Sequence, residues 1–149
     1  MQNWWNMRKK LVRIDPGFYF LTGTAILLIP IRWVFAWAVA VLIHEISHIL
    51  LLYLLGKKVY EIRIGTFGAK ICAQQLSGFG GILCVLAGPI GGALPILFGR
   101  MMPRIGICAA ILSAVNLLPI YPLDGGRVIG ILFAIIAERV SSYRSRRIV

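Results

Sequence analysis

The sequence predicts an all-α polytopic membrane protein with about four transmembrane helices and one short β element. Three observations carry that reading. Hydrophobic residues fill 59% of the 149 positions, against about 45–50% in soluble domains. Charged residues make up 14%. The apolar residues fall in long unbroken runs rather than on one stripe or in alternation. A soluble domain of this length has too little interior to hide so much apolar surface. The same composition excludes a disordered chain.

Four runs are long enough to cross or nearly cross a bilayer: 17–31, 33–55, 78–99 and 105–122. The first is short, and Arg32 can snorkel at its end. Met1–Ile31 has no small-residue cleavage site and further spans follow, so the first helix is read as retained. The second is flanked by Trp33, Trp37 and Tyr53, residues suited to interfaces. A fifth run, 128–137, is read as a partial or interfacial helix. Between the second and third runs, Val59, Glu61, Arg63 and Gly65 alternate with Tyr60, Ile62, Ile64 and Thr66. That period of two predicts a membrane-associated strand or hairpin at about 59–71, with Gly65 and Gly68 able to form the turn.

The net charge of +11 on so apolar a chain points to anionic membrane faces. No soluble basic part is left over to read nucleic acid. With the N-terminus in the cytoplasm and four spans, every Lys and Arg except Arg32, Arg100 and Arg104 falls on the cytoplasmic side. The positive-inside rule selects this orientation in a multi-pass cell-membrane protein. Cys72, Cys84 and Cys108 are far apart inside apolar stretches and read as small hydrophobes.

The chain has two histidines, and both lie in His44-Glu45-Ile46-Ser47-His48 inside the second span. Helical positions i and i+4 share a face about 6 Å apart. Two imidazoles so placed can hold one zinc ion, with Glu45 beside it as general base. The alternative is a pair of polar residues in a helix interface, with Glu45 paired to an arginine. Ionisable groups in mid-span are costly and mark functional sites.

A zinc site needs a third protein ligand. Asp124 stands in Asn116-Leu-Leu-Pro-Ile-Tyr-Pro-Leu-Asp-Gly-Gly-Arg127, where Pro119 and Pro122 break the helix. Unwinding there could turn the carboxylate inward; a plain cytoplasmic turn is the alternative. The topology puts His44, His48 and Asp124 toward the same face, His48 roughly 10 Å below the cytoplasmic surface at 1.5 Å per residue. Glu61 and Glu138 are the other acids considered for a third ligand.

Taken together, HEISH, the GPIGG of Gly88–Gly92 and NLLPIYPLDGGR of 116–127 resemble the three motifs of the site-2 proteases, intramembrane zinc metalloproteases of peptidase family M50. The likeness covers about 33–127 and is to the short forms, of the stage IV sporulation factor type, without PDZ or CBS modules. It implies one integral membrane metalloprotease domain over 1–149 and one zinc ion per chain. His44, His48 and Asp124 would be the ligands and Glu45 the catalytic acid/base. Asn116, Gly88 and Gly92 become candidates for substrate binding or transition-state support. Gly88 and Gly92 equally suit close helix packing.

The implied substrate is a transmembrane segment of another protein, with a homo-oligomer or a regulatory membrane partner as further candidates. Ile62 and Ile64 are candidates for docking an unwound substrate as an added strand. A histidine-box oxygenase needs far more than two histidines. An inactive helix-binding relative would have no need of Glu45.

Overall fold

The computed structural model describes residues 12–65, 68–74, 76 and 78–146. The basic cluster Arg8, Lys9 and Lys10, the strand residue Thr66 and Arg147 lie outside the described residues. The elements run β1 (Val12–Ile14), α1 (Pro16–Leu28), α2 (Ile31–Leu54), β2 (Val59–Gly65), β3 (Gly68–Ala73), α3 (Gly78–Gly92), α4 (Pro103–Asn116) and α5 (Asp124–Arg146). A 3-10 turn, Leu94–Phe98, follows α3. The fold is mostly helical, but a three-stranded sheet makes it more than all-α.

Prolines set the breaks. Ile29 is extended before Pro30, because the residue before proline is steered out of the α region. The first run therefore stops at Leu28, and Ile31 and Arg32 join α2. The fourth run ends at Asn116 rather than 122, ahead of Pro119 and Pro122. The fifth run is part of a 23-residue helix. Its polar second half, which hydropathy alone passes over, continues the helix begun at Asp124. α2 and Gly78–Phe98 are each long and apolar enough to cross a membrane, while α1 and α4 are shorter apolar helices.

Small residues let the helices approach. Ala36 and Ala40 of α2 pack on Cys108 and Ala109 of α4, all buried. Large apolar side chains face outward instead: Phe20, Leu27, Tyr53 and Leu97 are all more than three-quarters exposed. This is the distribution expected when packing depends on close backbones rather than on burying bulk. α2 and α4 run the same way from a shared recess at Ile31 and Pro103. α3 runs against them, Gly88 lying beside His48 and Gly92 beside His44. α5 leads from the level of His48 back to the start of α3, where Ile131 meets Gly81. Arg32 and Arg104 thus mark one end of the bundle, and the sheet lies at the other.

The sheet order is β1-β2-β3. β2 and β3 form the expected antiparallel hairpin, turned by Gly68 at φ +118°. β1 pairs parallel to β2, Val12 with Ile62 and Ile14 with Ile64. β2 is therefore the central strand. Ile62 and Ile64 cannot offer a free edge to substrate, since β1 covers one side of β2 and β3 the other. Among the described residues the open edges belong to β1 and β3.

Candidate metal centre

α2 carries His44 and His48 one turn apart, with both rings buried. Asp124 opens α5 and is buried with them. Its Oδ2 lies 3.1 Å from His44 Nε2 and 3.2 Å from His48 Nε2. The reason Asp124 can reach them is local. Residues 117–123 leave the helix, and the start of α5 presses against their backbone. A β-carbon on Gly125 or Gly126 would overlap the carbonyls of Leu117, Leu118 and Ile120. The two glycines serve close approach, not an unusual backbone angle.

The three donors fit a zinc ion on three counts. Ligands held at about 2.0–2.1 Å on a tetrahedral ion sit roughly 3.3 Å from one another, close to the two separations found. His48 Nδ1 lies 2.8 Å from the carbonyl oxygen of Cys84, so that nitrogen is the donor. In the neutral ring the Nε2 lone pair then faces a carboxylate oxygen, an arrangement that a metal ion between them, or a proton on Nε2, satisfies. Finally, α3 leaves space at the imidazoles: a β-carbon on Gly88 would overlap His48 Nε2 and come within 2.8 Å of His44 Nε2. On Gly92 it would come within 3.0 Å of His44 Nδ1, a buried atom with no hydrogen-bond partner among the described residues.

These groups line a cavity of about 880 Å³. Glu45 faces into it from α2, and Ala69 of β3 lines the same cavity. Asn116 also lines the cavity, its Nδ2 donating to Leu112 O at 3.1 Å. Ile62 and Ile64 do not line it, while the β3 residues Ala69, Lys70, Ile71 and Ala73 do. Glu61 is engaged with Arg13 at 3.2 Å and Arg63 at 3.0 Å, far from the role of a third ligand. Its hydrogen bond and charge hold the Arg63 guanidinium above its ordinary pKa. Glu138 is not in the cluster either, which comprises His44, His48 and Asp124.

Three contributors escape a reading of motifs. The Cys84 carbonyl is a backbone group with no sequence signature. The pairing of β1 with β2, which leaves β3 as the edge at the cavity, carries no alternation in the sequence. Arg127 had a legible cue, its i+3 spacing from Asp124; its Nη1 lies 3.5 Å from Asp124 Oδ1.

Residues 79–149 match the sequence profile of peptidase family M50. That stretch includes Gly88–Gly92 and Asn116–Arg127 but begins after His44–His48. Among solved structures, the site-2 protease from Methanocaldococcus jannaschii is similar at a TM-score of 0.67 and 20% identity, over 85% of this chain and 67% of that one. No curated protein matches.

Proposed function

We propose that the chain is a site-2-type protease of peptidase family M50, whose profile matches residues 79–149, and that it is zinc-dependent and cuts transmembrane segments of other proteins within the bilayer. The observation that carries the reading is the convergence of His44 Nε2 and His48 Nε2 on Asp124 Oδ2 beside Glu45 in one cavity. His44, His48 and Asp124 would hold the ion. When bound, zinc acidifies water and polarises a carbonyl.

The protein's own groups do the rest. Glu45 sits one residue from a ligand and takes a proton from the attacking water, then delivers it to the leaving amine. Arg127 turns Asp124 so that one carboxylate oxygen faces the histidines. The Cys84 carbonyl holds the His48 tautomer.

The proposed placement has four spans, α1, α2, Gly78–Phe98 and α4, with α5 returning on the side of the sheet. At about 1.5 Å per residue, α1 and α4 are each roughly 20 Å long. They are short against a hydrocarbon core of about 30 Å. The bundle is wide enough only if its ends thin the bilayer or are completed by flanking segments. Lys57, Lys58 and Lys70 share the sheet side, which supports a cytoplasmic sheet and N-terminus with the metal centre nearer that face.

A helix hides its peptide carbonyls, so a substrate must unwind and find new backbone partners. The β3 edge at the cavity supplies them by strand addition. The test is purification, metal analysis and cleavage of co-expressed single-span reporters. The expected result is one zinc per chain and cleavage that Glu45→Gln abolishes without loss of zinc. Normal turnover by Glu45→Gln would overturn the assignment.

A further inference from the structure

The pairing register puts Arg13, Arg63 and Lys70 directly opposite one another across β1, β2 and β3. Three cations in one row are unfavourable, since like charges on facing strand positions repel. Glu61, on the same face and two residues along, answers the first two through its contacts with Arg13 and Arg63. Lys70, at the open end of the row, forms no ion pair among the described residues. It lines the catalytic cavity. The opposite face of the sheet is apolar: Val12, Ile14, Ile62, Ile64 and Ile71 share it by the same register.

The backbone also has a direction. Ile64 O accepts from Asp15 N, so Ile64 turns its polar groups toward β1 and Arg63 turns its own toward β3. Lys70 therefore bonds inward to β2, and Ala69 and Ile71 present theirs to the open edge. A strand added antiparallel to β3 would bond at Ala69 and Ile71. The residue between those bonds would lie opposite Lys70 in a non-hydrogen-bonded pair, where side chains are closest.

Resting on the strand-addition reading above, we propose that Lys70 selects substrates: the segment that docks on β3 carries an acidic side chain opposite Lys70 and apolar side chains at the neighbouring positions, which face the Ile62–Ile71 side. The added carboxylate completes the charge balance that Glu61 begins. An amphipathic, acid-bearing strand is thus the class of sequence this edge accepts.

The experiment uses the full-length protein in membranes. A cleaved single-span reporter carries one Glu, or one Lys, at each of six successive positions around the cut. With the native protein, Glu is favoured over Lys at alternating positions, by up to about fivefold for one cross-strand pair. Lys70→Glu inverts that preference at the same positions. Lys57→Glu, the same charge change outside the sheet, leaves it in place.

A preference that varies smoothly along the reporter, or that Lys57→Glu shifts as much as Lys70→Glu, overturns the proposal. Ile71→Pro separates the two layers. If it leaves cleavage unchanged with zinc content normal, strand addition fails and the proposal with it. If it lowers cleavage while Lys70→Glu fails to invert the preference, charge selection alone is wrong.

Discussion

Gly88 of α3 is seated against the imidazole of His48, so close that a β-carbon would overlap Nε2. That atom is one of the three donors directed at a common point. The glycine therefore keeps α3 near α2 and also keeps the metal position open. Gly88→Ala should lower zinc affinity at least tenfold while the protein still inserts and purifies. Gly92→Ala approaches His44 Nδ1 at 3.0 Å, a contact that a small shift relieves, and should cost less. Metal analysis after dialysis against a weak chelator distinguishes them. Equal retention of zinc by both variants would leave plain helix packing as the role of these glycines.

Arg127 steadies the far oxygen of Asp124 at 3.5 Å. Partners of metal ligands are typically worth 10–100-fold in affinity or activity, and this long, half-exposed contact belongs at the lower end. Arg127→Ala should weaken zinc binding about tenfold, and Arg127→Lys should recover part of it. Competition with a chelating dye reads the change directly. A positioning role fails if Ala and Lys variants bind zinc like the native protein.

How far the sequence foretells this arrangement depends on how local each feature is. His44, Glu45 and His48 lie within one helical turn and a half, so spacing alone placed them on one face. Asp124 was within reach because Pro119 and Pro122 had to end α4 near it. The hairpin announced itself by alternation. β1 did not: three residues between basic and helical segments carry no pattern, and they become a strand only by pairing with β2. That single pairing closes the edge at Ile62 and Ile64 and leaves β3 as the edge at the cavity. The length of α5 was hidden for another reason, since its second half is polar and hydropathy scores the apolar run alone.

Asp124 bears the one negative charge among the three donors, and it is buried. Asp124→Asn keeps the shape but removes that charge, so zinc should be lost nearly as fully as in Asp124→Ala. Removing zinc from the native protein with a strong chelator should abolish reporter cleavage, and adding one equivalent should restore it. Measuring zinc and cleavage on the same samples checks both statements. If Asp124→Asn held stoichiometric zinc, another group would have to be the third ligand.

Proline substitutions follow the direction of each backbone N–H. Ile71 points its N–H out of the sheet at the open edge, so Ile71→Pro removes a donor that β2 does not use. Proline is tolerated on edge strands where the N–H faces outward. Ile62 lies in the central strand with its N–H toward β1, so Ile62→Pro breaks the sheet itself. The expected outcome is a split. Ile71→Pro lowers reporter cleavage several-fold with zinc retained and normal yield, while Ile71→Val, which keeps the donor, cleaves normally. Ile62→Pro lowers yield as well as cleavage. Ala69→Pro removes the other outward N–H of this edge, so it should lower reporter cleavage with zinc retained, as Ile71→Pro does. Cleavage rates normalised to zinc content, set beside membrane yields, separate loss of docking from loss of fold. Unchanged normalised rates for both β3 variants would mean that the strand edge has no part in holding substrate.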